Sequence, residues 1–350
     1  CYMEKRTQQR IIEIYQKIMT ENNLITVSVC MITYNHEKFI AQAIEGVMMQ
    51  QTDFRYELVI SEDCSTDRTR EICKQYKEKF PDKIKLILPD KNLGVIENSI
   101  STFRECTGKY IAICEGDDFW TDKLKLQKQV DFLESNLAYG LVHTDYVVVD
   151  ENSKQLELFE LKYTESNTGR EVFELLLRKK YSIATLTVLF RGSLFREFDN
   201  ELSGMQLKMT DYPMWLEFSG KMKVRYLDEI TSSYRLLKNS ASHSDNIGKI
   251  VAFNLNSLQI RMYFADKYGV KLNVKKETAQ IYSNVMRDCF LHNRNLAPTY
   301  YEKMVRSRKL SLLNPRPLLF LLGSKSLFFS RLIYKIQKTD SAFLKRHFSV

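Results

Sequence analysis

Several things are missing from this 350-residue chain. It contains no uncharged apolar run of about 18 or more residues, so no stretch reads as a membrane-spanning helix. Its opening, "CYMEKRTQQR", lacks the apolar stretch of a signal peptide. The seven cysteines, at 1, 30, 64, 73, 106, 114 and 289, form no CxxC pair and are odd in number, which argues against a disulfide framework. Cys30 and Cys114 lie inside apolar runs, where a reduced thiol packs as a small hydrophobe. A reducing, cytoplasmic setting is expected. No glycine-rich triphosphate loop follows the first apolar run, which counts against nucleotidyl transfer. The chain also starts at cysteine rather than methionine, and the numbering is expected to begin inside a longer gene product or after a removed tag.

What is present is enough for a large core. With 44% hydrophobic and 27% charged residues, the chain has the composition of a folded α/β protein with room for a second module. The formal net charge of +9 is unevenly placed. Residues 301–350 carry eleven basic side chains against Glu302 and Asp340, so residues 1–300 sum to zero. A basic tail on a neutral body predicts an acidic surface as the tail's partner.

Ile11, Ile14, Tyr15 and Ile18 follow helical spacing and predict an amphipathic helix over residues 4–20. The period then changes. Apolar or β-branched runs at 26–32, 56–60, 83–88, 109–114 and 140–149 read as strands, and helical stretches separate them at 37–50, 66–79, 96–106 and 123–135. "STDRT" at 65–69 supplies an N-cap and an early acid for the second helix. Such alternation implies a mostly parallel sheet with helices on both faces, in which ligands bind outside the carboxyl ends of the strands. "TYNHE", "SEDCSTD" and "EGDDFW" stand at three of those ends, so their polar groups are predicted to converge. The last is the most telling: a buried strand runs straight into Glu115, Asp117 and Asp118. A solvated strand-end turn or a helix cap explains one acid but does not require three beside Trp120.

"VSVCMITYNHEKFIAQAIEGVMMQ", "YELVISEDCSTDRT", "KNLGVIEN" and "GKYIAICEGDDFWTDKLKLQ" together resemble the successive signatures of family 2 glycosyltransferases, nucleotide-sugar-dependent enzymes of the glycosyltransferase-A fold. The likeness covers residues 26–150 closely, and "TDYPMWLEFSG" (210–220) and "YRLLKNSASH" (234–243) extend it. The resemblance implies a nucleotide-sugar donor, a UDP-sugar favoured, with Mn2+ or Mg2+ bridging carboxylates and diphosphate. It implies Asp118 as the direct metal ligand and Asp117 near the ribose and metal. Asp63 is expected to accept a hydrogen bond from the base and Tyr34 to stack on or flank it. Thr33 and Asn35 line the same loop, and Asn92 and Gly94 are placed with the nucleotide. Glu37 joins them or serves as a first-turn acid of its own helix. Arg235 is expected to face the diphosphate, and His243 to act as a metal or phosphate partner or as a structural histidine. The match is not complete: Glu62, Cys64, Glu115, Thr210 and Leu237 stand where the family commonly has Asp, Gly, Asp, Glu and His.

An inverting transfer needs a base for the acceptor hydroxyl. Asp211 matches the family's catalytic acid, with an N-cap as its other reading. Trp215, four residues on, is placed as a sugar contact or a core aromatic, and Trp120 as an acceptor contact. The implied enzyme moves a sugar to a saccharide or lipid-linked acceptor in cell-surface polysaccharide synthesis, and no nucleic-acid partner is expected. A non-catalytic scaffold that binds lipid or nucleic acid through the basic tail is the other class. The organisation expected is a helix at 1–25, a catalytic domain at 26–243 with a nucleotide-sugar half (26–150) and an acceptor half (151–243), and a helical basic region at 244–350. In that region "LLNPRPLLFLL" marks a break. Phe329, Leu332, Ile333 and Ile336 then oppose Arg331, Lys335 and Lys338 on one helix. That pattern suits a helix lying peripherally on an anionic membrane surface, or one packed on the catalytic domain.

Overall fold

The computed structural model describes residues 24–157, 170–237, 246–292 and 297–307. The predicted N-terminal helix at 4–20, His243 and the basic helix at 329–338 lie outside the described residues.

The first half of the chain follows the expected alternation. β1 (Val27–Thr33), β2 (Tyr56–Glu62), β3 (Ile84–Ile87) and β4 (Tyr110–Ile113) are joined through α1 (Ile40–Met48), α2 (Thr69–Lys79) and α3 (Val95–Arg104). These strands are continuous apolar runs because both faces are covered, and β1, β2 and β4 are almost wholly buried. α1 buries Ile40, Ala43, Ile44 and Val47, one stripe at i, i+3, i+4 and i+7. The four strands lie parallel in the order β3-β2-β1-β4.

Beyond β4 the sheet becomes mixed. β5 (Phe119–Trp120), α4 (Lys125–Ser135), β6 (Tyr139–Val149) and β7 (Gln155–Glu157) come next. α5 (Arg170–Leu177), a 3-10 turn at Thr185–Thr187, β8 (Leu189–Arg191), α6 (Gly192–Ser203), α7 (Asp211–Lys221) and β9 (Lys223–Arg235) follow. β8 pairs antiparallel with both β4 and β6, β9 runs parallel to β6, and β5 and β7 pair antiparallel with β9 and β6. The expected all-parallel sheet is therefore found over β3 to β4; the short antiparallel β8 then joins it to the long β6 and β9, which run parallel to each other.

The chain divides into two compact units. The first comprises Cys1–Leu175, Ile183–Met205 and Met209–Leu236, so the two expected halves of the catalytic domain share one sheet. The second comprises Leu176–Ser182, Gln206–Lys208 and Leu237–Val350, placing the division at Leu236 rather than residue 243. In the second unit α8 (Ile247–Lys267) is capped by Asn246, whose side chain accepts from the Lys249 amide. α9 (Val274–His292) and α10 (Ala297–Ser307) follow. The buried Arg261 of α8 donates to the Leu177 carbonyl and, at 2.8 Å, to Glu277. No helix among the described residues is long and apolar enough to cross a membrane.

Candidate active site

The loops after β1 and β2 are stitched together. Asn35, at φ 56°, donates its amide to Ser65 Oγ (2.9 Å) and accepts from the Thr66 amide (2.9 Å). The His36 amide donates to Thr69 Oγ1 at 2.8 Å, and the Glu37 amide to Asp67 at 3.1 Å. Glu37 in turn accepts from the Arg68 amide at 3.1 Å, and Arg68 is the N-cap residue of α2. Asn35 and Glu37, expected to line a nucleotide, thus fasten the β1 loop to the β2 loop. The helix dipole that Glu37 meets belongs to α2, because α1 begins only at Ile40. Thr33 is buried at the strand end, its hydroxyl 3.2 Å from His36 Nδ1. Tyr34 is 42% exposed.

Asp63 stands at the carboxyl end of β2. It is buried, and its carboxylate accepts from the amides of Leu93 (2.7 Å) and Gly94 (3.0 Å), while its carbonyl accepts from Asn92 Nδ2 (2.9 Å). Both oxygens hold the 92–94 loop, so a base contact would have to share an oxygen already in use. Gly94 sits at φ +80°, a conformation that only glycine adopts cheaply, and serves as the N-cap residue of α3.

The acidic loop after β4 is seated by Gly116, where a Cβ would come within 2.5 Å of Thr33 Oγ1. Asp117 is partly exposed, its Oδ2 3.9 Å from His36 Nε2. Asp118 is buried and its Oδ1 accepts from the Arg235 amide at 2.7 Å; among the described residues its Oδ2 accepts no hydrogen bond. Burial, reinforced by Asp117 and Glu115, holds its carboxyl well above the usual range. Burial likewise pushes Glu115 up to about 7, against a hydrogen bond from Thr185 that lowers it, and its Oε2 is buried without a partner. A small recess joins Glu115 to Thr185, Thr210 and Asp211.

Asp211 is the first residue of α7, and the N-cap residue is Thr210, whose side chain makes no capping bond. Burial raises the Asp211 carboxyl, offset by hydrogen bonds from the Tyr212 amide and its own. Helix entry thus leaves this carboxylate beside Glu115 rather than in solution.

Three expected ligand contacts are corrected by burial. The Arg235 guanidinium, expected to face a diphosphate, is buried and committed within the protein: it donates to the carbonyls of Asp117 (2.9 Å), Asp150 (3.1 Å) and Glu151 (3.3 Å), to Ser153 Oγ (3.0 Å) and to Gln42 Oε1 (2.7 Å). It packs over Phe39 and Phe119 and braces the acidic loop from behind. Trp120 is buried, donates to the Leu186 carbonyl at 2.9 Å and packs beneath Lys125. Trp215 is buried against Phe190 and Phe218. Both tryptophans are core residues rather than acceptor contacts. Conversely, His36 was legible in "TYNHE" beside the acids, whereas Lys125 reads as an ordinary helix-surface lysine.

No group of three or more His, Cys, Asp or Glu among the described residues is arranged to hold a metal by itself. The donor set still fits a hard divalent cation completed by a ligand's own oxygens. Asp117 and the unsatisfied oxygen of Asp118 are carboxylates, and the charge of Asp118 is held at a cost that a cation would relieve.

A family model described as glycosyl transferase family 2 matches residues 28–197. The glycosyltransferase TuaG of Bacillus subtilis, assigned to teichuronic acid biosynthesis, is 30% identical over 224 residues, 62% of this chain and 81% of TuaG. The chain belongs to glycosyltransferase family 2. It spans only 38% of the length of mycobacterial relatives that it matches at 37% identity. In fold this family 2 chain is similar to Staphylococcus aureus TarS in complex with UDP-GlcNAc, with a TM-score of 0.55 at 17% identity over 86% of this chain and 92% of that one. It is also similar to a Pyrobaculum calidifontis mannosyltransferase in complex with GDP-Man and Mn2+, with a TM-score of 0.52 at 16% identity over 92% and 85%. These likenesses establish the glycosyltransferase-A fold.

Proposed function

We propose that this chain is a metal-dependent inverting glycosyltransferase that moves a sugar from a nucleotide-sugar, a UDP-sugar favoured, to a saccharide or lipid-linked acceptor in cell-surface polysaccharide synthesis. The observation that carries the reading is that Asp211 shares a recess with Glu115, which opens the loop that carries Asp117 and Asp118 after β4. TuaG's teichuronic acid assignment supports the polysaccharide role, and TarS with UDP-GlcNAc supports the donor.

Asp117 and Asp118 would hold Mn2+ or Mg2+, which when bound neutralises charge growing on the diphosphate. Tyr34 offers its exposed ring to the base, and the 92–94 loop, fixed by Asp63, borders the nucleotide. Asp211 takes the acceptor hydroxyl's proton as the oxygen attacks the anomeric carbon, and the nucleoside diphosphate leaves from the opposite face. A raised carboxyl suits that task, since a base works best with its pKa nearer the operating pH. The basic tail favours an anionic membrane surface, where lipid-linked acceptors reside.

The test is a panel of nucleotide-sugars, with Mn2+ or Mg2+, assayed for hydrolysis and transfer, followed by product stereochemistry. Expected are cation-dependent turnover of one UDP-sugar and an inverted product. Turnover unchanged by chelation, or a retained configuration, overturns the mechanism.

A further inference from the structure

Lys125 is fully buried on α4, an expensive place for an ammonium group. Its Nζ donates to Gln129 Oε1 (2.7 Å) and to the Thr187 carbonyl (3.2 Å), and sits 4.6 Å from the centre of the Trp120 ring. Gln129, oriented by that bond, donates its own amide to the Thr187 carbonyl at 2.8 Å. The neighbouring Leu186 carbonyl accepts from Trp120 Nε1 (2.9 Å) and Ser232 Oγ (3.3 Å). Four side chains from α4, β5 and β9 therefore converge on two successive carbonyls of one 3-10 turn. The residue preceding those carbonyls is Thr185, which lines the recess and bonds Glu115.

We propose that Lys125 is a positioning residue of the active site: with Gln129 and Trp120 it clamps the Thr185–Thr187 turn and so fixes the hydroxyl that Thr185 presents to Glu115 beside Asp211. An ordinary core contact would not need a charge here. An apolar side chain in place of Lys125 leaves the Thr187 carbonyl with one donor and frees the Gln129 amide to rotate. Burial pulls the Lys125 ammonium down to about 7, a sign of what the clamp costs. The inference rests on the catalytic reading above only for its kinetic part.

Two measurements test it on the full chain. Hydrogen exchange should show the amides around 184–188 exchanging at least ~10-fold faster in Lys125→Met than in wild type, since losing a buried donor weakens local structure. In the transfer assay, Lys125→Met and Thr185→Val should each lower kcat by ~10- to 100-fold while leaving donor KM within ~2-fold, the scale expected of a misplaced site. Thr185→Ser, which keeps the hydroxyl, should restore kcat, and the double variant should be no slower than Lys125→Met alone, because both changes cut one chain of contacts. Unchanged exchange in Lys125→Met, or losses that multiply in the double variant, overturn the proposal. If Lys125→Met does not fold, wild-type kcat in Thr185→Val does so instead. A wild-type protein that transfers no sugar sinks the catalytic reading, and the exchange experiment still decides the clamp.

Discussion

Replacing Arg235 with Met distinguishes a brace from a phosphate contact. The substitution keeps the apolar stem over Phe39 and Phe119 but removes five donated hydrogen bonds, to the carbonyls of Asp117, Asp150 and Glu151 and to Ser153 and Gln42. Counting all five would overshoot, since acceptors near the surface recover water. Two stranded buried acceptors at roughly 1–3 kcal/mol each, with the lost cation over the rings, give a cost of about 3–5 kcal/mol. For a unit of this size that lowers Tm by roughly 6–20 °C. The bond from the residue 235 amide to Asp118 survives, because it belongs to the backbone. Calorimetry without ligand reads the stability, and titration with a nucleoside diphosphate and Mn2+ reads the site. The brace predicts a large loss of Tm before any ligand is added. A variant that melts within ~2 °C of wild type yet binds the diphosphate ~10-fold or more weakly would refute this reasoning and return the guanidinium to the ligand.

Asp118→Asn should abolish the Mn2+-dependent thermal stabilisation given by a nucleoside diphosphate while raising the ligand-free Tm at pH 8, because it removes a buried charge held against Asp117 and Glu115; a shift retained in full Mn2+ dependence counts against it as a ligand. Asp211→Asn should keep donor Kd and lower kcat by ~10²- to 10⁴-fold, and since Thr210 is the N-cap residue the helix start should be undisturbed. Near-normal kcat would leave the chain without an identified base. Glu115 titrates near 7 when folded, above its ordinary 4.5, so it favours the folded state at low pH and that contribution is lost as pH rises from about 4.5 through 7. Glu115→Gln should flatten the fall in ligand-free stability between pH 5 and 8, an effect on the order of 3 kcal/mol, and an unchanged slope argues against the raised carboxyl.

The strands and helices of the first half were legible because each is written in one period. "VSVCMIT" is apolar throughout and α1 keeps its stripe, so β1 to β4 and their helices lie within a few residues of expectation. The second half was less legible for a physical reason. β5, β7 and β8 are two or three residues long, too short to show a period, and they pair with β9, with β6, and with β4 and β6 respectively. In the site, residue type identified the acids but not which way neighbouring side chains turn. Arg235, Trp120 and Trp215 are all chemically suited to a nucleotide-sugar, and only the pairing of β9 with β5, the aromatic cluster around Phe190 and the carbonyls at 186–187 show that they are used internally. Lys125 and Gln129, four apart on the buried side of α4, illustrate the same limit from the other direction.

The placement of charge at the carboxyl ends of these strands bears on the proposed metal-bridged donor. Glu115, Asp117, Asp118 and Asp211 gather there, and burial raises three of the four. The Arg235 guanidinium spends its donors on backbone carbonyls, the Ser153 hydroxyl and the Gln42 amide oxygen, so it steadies the backbone of the acidic loop without a hydrogen bond to a carboxylate among the described residues. His36 stands 3.9 Å from Asp117, close enough to matter only when protonated. A fold that aimed only at stability would pair or remove such acids, since a buried carboxylate lacking a partner is costly. Here the loop is instead held rigid by Gly116, by the Arg235 amide and by the stitching of β1 to β2, so that the uncompensated oxygens keep a fixed direction. Rigid, underneutralised carboxylates favour a divalent cation and a diphosphate together over either alone, which is the coupling that the proposed metal-bridged donor would use.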